Sequence, residues 1–219
     1  MMVPVRVWLK KCGDARFISH LDMVRTFTRV IKRSGLPIWY TEGFNPHPYF
    51  TFLRPLSLYI EGLNEPVDMR LTEEMPFDAV REALAGVMPP GIETVQVAAQ
   101  KNKPVDIAFA GYEISMKFQN MTAEESCAAL KSCVGASLTA VKKTKRSQKE
   151  IDMSDCLDTE KISVEDGLAK IGTVLMCGND NNVNPSLVVE ACENQLHLKS
   201  DDIYIRRIQF YKESMEIFE

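Results

Sequence analysis

The chain opens on an alternating run, VPVRVWLKK, in which Val3, Val5, Val7 and Leu9 interleave with Pro4, Arg6, Trp8 and Lys10. That two-residue period predicts a strand with one face turned to a core. The next stretch, FISHLDMVRTFTRVIKRSGLP, changes to a helical period, with Leu21, Val24, Phe27, Val30 and Ile31 as the expected buried stripe. Ser19 is placed to cap that helix, Asp22 follows three residues on in the manner of a capping box, and Gly35 and Pro37 end it. PIWYT predicts a short strand and YFTFLRPLSLYI a second strand region. EPVDMRLTE predicts another, with Val67, Met69 and Leu71 on one face. FDAVREALAGVMPPG predicts a helix stopped by Pro89, Pro90 and Gly91, and IETVQVAAQ a closing strand.

A similar order recurs after a bridging segment, KNKPVDIAFAG, in which Ile107 and Phe109 are candidate anchors. GYEISMKF predicts a strand, and TAEESCAALKSCVG a helix capped by Thr122 and ended near Gly135. SLTAVKKTKRSQKEIDMS is expected to pair with KISVEDGLAKIGTVLMCG. NPSLVVEACENQ predicts a helix with Pro185 at its first position, and DDIYIRRIQFYK a last strand. Each half therefore follows β-α-β-β-α-β. The expected fold class is α+β, with two ferredoxin-like antiparallel sandwiches in tandem, the first elaborated by an extra strand. The expected domains are residues 1–104 and 105–219.

Composition narrows the setting. At 219 residues and 45% hydrophobic, the chain has enough apolar material for one large or two small cores. No apolar run approaches the ~18–20 residues that cross a bilayer, and MMVPVRVWLKK has no signal-peptide h-region. No membrane association is expected, and the cytoplasm is the expected location. The six cysteines include no CxxC and no zinc-like spacing, so buried reduced thiols are expected in place of a metal site. GLAKIGTVLMCG fits neither GxGxxG nor Walker spacing, and no cofactor is expected.

Net charge is −4, which excludes a protein coated in positive charge, but the distribution is uneven. Residues 1–60 hold nine Lys/Arg against three Asp/Glu, and residues 61–100 hold two against eight. A positive face on an acidic protein is one consequence of such a split. In RFISHLD, His20 and Asp22 fall in the first helical turn, where free N–H groups and the helix dipole favour an anion and disfavour a protonated imidazole. Arg25, Arg29, Lys32 and Arg33 then step along the helix as a basic stripe; an ordinary solvated face has the same pattern.

GFNPHP is a stiffer element. Gly43 allows positive φ, while Pro46 and Pro48 restrict Asn45 and His47 to extended conformations. The loop holds His47 in one place, with Phe44, Tyr49 and Phe50 as nearby aromatic faces. That combination suits base stacking and phosphate contact in a folded RNA, although an idle exposed turn is an equal reading. His20 and His47 are the candidates for acid–base chemistry, without a partner at diagnostic spacing. Lys142, Lys143, Lys145, Arg146 and Lys149 form the densest basic run, suited either to nucleic acid or to protecting an edge strand. His197, between two leucines, reads as structural.

The block from RFISHLD through GFNPHPYFTFLRPLSLYIEG resembles the start of the radical SAM-linked protein family, bacterial domains of unassigned function. The resemblance spans nearly the whole chain, is specific in FISHLD and GFNPHP, and weakens in KEIDMSD and DDIYIRR; CGNDNNVNPSLVVEA departs from the pattern. It implies a chain fused to, or encoded beside, a radical SAM protein. With no CxxxCxxC for an iron–sulfur cluster, this chain would be the companion and not the radical enzyme. In the family pattern the two motifs stand together. The expected site therefore combines Ser19, His20, Asp22, Asn45 and His47, flanked by Arg16, Arg25 and Arg54.

The expected function is an accessory substrate-binding protein for a radical SAM enzyme, holding tRNA or rRNA on a basic, histidine-bearing face. Whether the chain is itself an enzyme stays open. One alternative is a metal-independent endoribonuclease with a loop histidine, by analogy with CRISPR RNA-processing enzymes, whose C-terminal Gly-rich loop this sequence lacks. The other is a protein–protein adaptor without nucleic acid.

Overall fold

The alternation in the first segment becomes strand β1, Val3–Lys11, and its odd-numbered side chains enter the core. A computed structural model describes residues 2–136, 138–143, 148–153, 156–178 and 182–219. It has an α+β architecture, with four helices and mostly antiparallel sheet among the described residues. The chain forms two compact units, one of Met1–Asp106 with Ile217–Glu219, the other of Ile107–Glu216. The last three residues thus belong to the first unit and not to the second domain that was expected to contain them.

In the first unit β1 is followed by helix α1 (His20–Ser34), β2 (Phe50–Phe52), β3 (Ile60–Leu71), α2 (Phe77–Ala85) and β4 (Ile92–Ala99). The strands lie in the order β4-β1-β3-β2, each pairing antiparallel. Val5, Val7 and Leu9 pack with Val67, Met69 and Leu71 of β3 beneath Met23, Phe27, Val30 and Ile31 of α1 and Val80 and Leu84 of α2. Met23 takes the place in the stripe expected of Leu21, which is exposed. PIWYT contributes two isolated bridges, Ile38–Leu71 and Tyr40–Pro48, instead of a strand. Of YFTFLRPLSLYI only three residues form β2; β3 absorbs its last residue and runs on unbroken through EPVDMRL.

The opposite face of β1 is also buried, and it carries charge. Arg6, 0% exposed, sits across from Asp68 in the β1–β3 register and donates Nε–H and Nη2–H to its carboxylate at 2.6 and 3.0 Å. Its other N–H groups reach the main-chain oxygens of Glu219 at 2.8 Å and Asn102 at 3.0 Å. The guanidinium lies 4.5 Å from the centre of the Phe218 ring. The returning C-terminal residues therefore cover this face, and Glu219 N–H donates to Asn102 Oδ1 at 2.8 Å.

The second unit contains β5 (Phe109–Phe118), α3 (Ala123–Gly135), β6 (Thr139–Lys143), β7 (Gln148–Asp152), β8 (Leu157–Glu165), β9 (Leu168–Met176), α4 (Ser186–Leu196) and β10 (Ser200–Tyr211). Its main sheet runs β10-β5-β9-β8, again antiparallel throughout. The expected pairing of the two middle segments is replaced by two local hairpins, β6–β7 and β8–β9. Asp166 and Gly167 both have positive φ (52° and 74°), as the tight turn between β8 and β9 requires. Thr122 and Glu125 form the reciprocal capping box of α3. Pro185 stands one place earlier than expected, as the N-cap of α4, and the exposed His197 closes that helix at φ 55°. The Cys133 and Cys192 thiols of α3 and α4 touch each other, and burial raises the pKa of both. Thiols so protonated are poor nucleophiles.

Candidate functional site

Helix α1 begins where the sequence placed its cap. Ser19 Oγ accepts the Asp22 N–H at 3.2 Å and donates its hydroxyl to Asp22 Oδ2 at 2.7 Å, while Arg25 donates to Asp22 Oδ1 at 2.9 Å. The Ser19 hydroxyl and the Arg25 guanidinium hold the Asp22 carboxyl below the usual aspartate range. A group depressed in this way contributes above its unfolded pKa, and the contribution disappears as pH falls through the folded value. Ser19→Ala is therefore expected to cost about 1 kcal/mol at neutral pH. The cost should shrink as pH falls through the lowered Asp22 pKa; thermal melts across pH check both.

His20, the first residue of α1, lies edge-on to Phe52 with ring centres 5.5 Å apart. Burial, then the positive charge of Lys11, lowers its pKa, so the imidazole is neutral at physiological pH. Beneath it a small cavity of about 20 Å³ is lined by Leu9, Lys11, His20, Met23, Phe52, Leu56 and Glu65. Lys11 and Glu65 are both buried, at 4% and 6% exposure, and Lys11 donates to the Ile18 carbonyl at 2.7 Å. The β1–β3 register slips between Leu9 and Lys11, an irregularity that re-aims a side chain. Gly62 clears the space for Glu65, because a Cβ there would sit 2.4 Å from Glu65 Oε1.

The Pro-bracketed loop presents His47 from the other side. His47 N–H donates to Thr41 Oγ1 at 3.2 Å, and Thr41 N–H donates to the His47 carbonyl at 2.9 Å. The ring nitrogen Nδ1 lies 3.1 Å from the Asn45 carbonyl and 3.0 Å from Thr41 Oγ1. Both contacts go to Nδ1, so Nε2 is the ring nitrogen turned away from the loop. The loop thereby fixes the position of an exposed histidine.

His20 and His47 line one cleft of about 310 Å³, together with Val24, Thr28, Pro48, Phe50, Thr51 and Phe52. That volume is at the lower end of ligand pockets, which span about 300–1,000 Å³. The arginines expected to flank the histidines are not among the described residues that line it. Arg25 pairs with Asp22, Arg54 donates to the Leu53 and Pro104 carbonyls, and Arg16 lies 4.8 Å from the centre of the Phe17 ring. Asn45 takes part through its carbonyl, and Ser19 and Asp22 through the helix cap. Thr28, Thr51 and Phe52 line the cleft without having stood out in the sequence, as do Lys11 and Glu65 below it; a charged residue inside a strand was the only signal for the last two.

Of the basic run in the second unit, Lys145 and Arg146 lie outside the described residues. The β6–β7 register places Lys142 opposite Lys149, with Lys143 beside it. Among the described residues no group of three or more His, Cys, Asp and Glu is arranged to hold a metal ion, and no helix is long and apolar enough to cross a membrane.

A family model described as an uncharacterized protein conserved in bacteria (DUF2344) matches residues 5–185, a span that includes both histidines. The chain belongs to this family. No curated protein matches it. Among solved structures, this DUF2344 member is similar to a chain in the crystal structure of a Cbf5-Nop10-Gar1 complex. The TM-score is 0.52 at 11% identity, over 95% of this chain and 50% of that one. The chain thus spans about half the length of that structure, and the likeness is one of fold alone. An unknown protein from Galdieria sulphuraria aligns at a TM-score of 0.27 and 12% identity, over 94% of this chain and 99% of that one, too low to carry an argument.

Proposed function

We propose that the protein is an accessory substrate-binding component that holds an RNA at the cleft of its first unit for a radical SAM enzyme. The observation that carries the RNA half is the convergence of His20 and His47 on a cleft walled by Phe50 and Phe52 and bearing two threonine hydroxyls. Aromatic walls suit an unstacked base, worth about 1–3 kcal/mol per stacked base, and imidazoles and hydroxyls suit its polar edge. Because the nearby arginines are engaged elsewhere, phosphate attraction falls to the exposed Arg29, Lys32 and Arg33 of α1. A tRNA or rRNA would supply both kinds of contact.

The radical SAM half rests on FISHLD and GFNPHP, the motifs that resemble the radical SAM-linked family. The strand orders β4-β1-β3-β2 and β10-β5-β9-β8, each with two helices, support reading both units as ferredoxin-like. Free cysteines support a reducing compartment such as the cytoplasm.

The test is binding of bulk small RNA across a salt series, with a His20→Ala/His47→Ala variant alongside. Affinity is expected to fall as salt rises and to drop about tenfold or more in the variant, the equivalent of roughly 1.4 kcal/mol. Absence of binding at low salt, or an affinity indifferent to both histidines, would overturn the reading.

A further inference from the structure

Binding alone does not require two imidazoles prepared in different ways. His20 arrives on the first turn of α1 and His47 on a clamped loop, and both reach the same cleft. Imidazole is the side chain best able to move protons near neutral pH. His20 is kept neutral by burial and by Lys11, which makes it a proton acceptor. His47 is exposed, and its Nδ1 contacts with Asn45 and Thr41 leave Nε2 as the nitrogen that a ligand can meet. The start of α1 adds positive potential on the His20 side of the cleft. The other ionisable groups near His20 are Glu65 of β3 and, on its own helix, the paired Asp22 and Arg25.

We propose that this histidine pair makes the cleft a site of RNA strand cleavage by 2′-O-transphosphorylation; the proposal rests on the RNA reading above. His20 accepts the proton of a ribose 2′-hydroxyl. The O2′ atom bonds to the adjacent phosphorus while the bond from phosphorus to the 5′-oxygen breaks, and His47, entering the step as the imidazolium, donates its Nε2 proton to that leaving oxygen. The products are a 2′,3′-cyclic phosphate and a 5′-hydroxyl. Exchange with water returns both rings to their starting states, so no oxidant, reductant or further reactant takes part. The start of α1 supplies stabilisation for the charge that develops on the phosphoryl oxygens. Phe50 and Phe52 hold the base beside the reacting ribose.

The experiment incubates labelled bulk small RNA with the full chain in EDTA, and in parallel measures RNA binding and melting temperature for every variant. The expected result is fragments ending in 2′,3′-cyclic phosphate, and no cleavage of a matched 2′-deoxy strand. His47→Gln, on an exposed loop, and His20→Gln are each expected to slow cleavage by about 10²–10⁴-fold while RNA stays bound. RNA that binds at the histidines but remains intact overturns the cleavage proposal and leaves the binding reading standing. Cleavage unchanged by both substitutions assigns the nuclease activity to something other than this cleft and overturns it equally. Absence of RNA binding removes both proposals together.

Discussion

Replacing Asp68 with alanine is expected to lower stability by about 3–5 kcal/mol, the cost of leaving a buried charge without its partner. The Arg6 guanidinium is fully buried, and both of its charge-paired hydrogen bonds go to this one carboxylate. Without Asp68, two N–H groups lose their acceptor in a place that solvent does not reach. Only main-chain oxygens, those of Asn102 and Glu219, then face the full positive charge among the hydrogen bonds described above. For a chain of this size about 2–4 °C accompanies each kcal/mol, so the melting temperature should fall by roughly 6–20 °C.

Two controls separate this account from a general sensitivity of β1. Arg6→Met with Asp68→Leu removes both charges at once and should recover most of the loss, because no uncompensated ion stays behind. Lys10→Ala, which breaks a neighbouring pair with Glu93 at 37% and 64% side-chain exposure, should cost at most about 1 kcal/mol. An Asp68→Ala protein that melts within about 2 °C of the parent would show that the guanidinium is not held as described.

Where local rules decided the outcome, the sequence was readable. The alternation of β1, the Ser19 cap, the Thr122 capping box and the left-handed Gly35 all depend on residues within a few positions of one another. The misreadings have nonlocal causes. Leu21 and Met23 both suit an apolar stripe, and only the position of the sheet beneath α1 chooses Met23. The exception is local: Asp166-Gly167 is a dipeptide that by itself predicts the β8–β9 hairpin. PIWYT has strand-forming residues, but its neighbour β3 offers it a single bridge at Leu71. The Arg6–Asp68 pair joins residues 62 apart, and the covering Phe218 comes from the far end of the chain.

The site was legible as two motifs and illegible as a surface. Loop stiffness around His47 followed from Pro46 and Pro48. That both histidines line one cleft with Phe50 and Phe52 depended on where β2 pairs with β3. The arginines were misplaced because their charge suggested a ligand, whereas each found a protein partner within reach: Asp22, two carbonyls or an aromatic ring.

The second large effect is expected at Phe27, which joins the core to the cleft. Its side chain is fully buried on α1 and meets Phe50 and Phe52 edge-on, with centres 5.1 and 5.7 Å away. Phe52 in turn meets His20 at 5.5 Å. Phe27→Ala should cost about 3–5 kcal/mol, from lost burial and the space left behind. The aromatic pairs add about 0.5–1.5 kcal/mol beyond area, so the upper half of that range is favoured. Phe27→Leu keeps much of the apolar volume and should destabilise far less, yet it removes both ring contacts behind the cleft walls. At a temperature where Phe27→Leu is fully folded, RNA affinity should therefore weaken while the melt stays near the parent's. If instead affinity is unchanged and only stability falls in step with volume, Phe27 is a core residue without influence on the cleft. The aromatic walls would then hold their positions through the β2–β3 pairing alone.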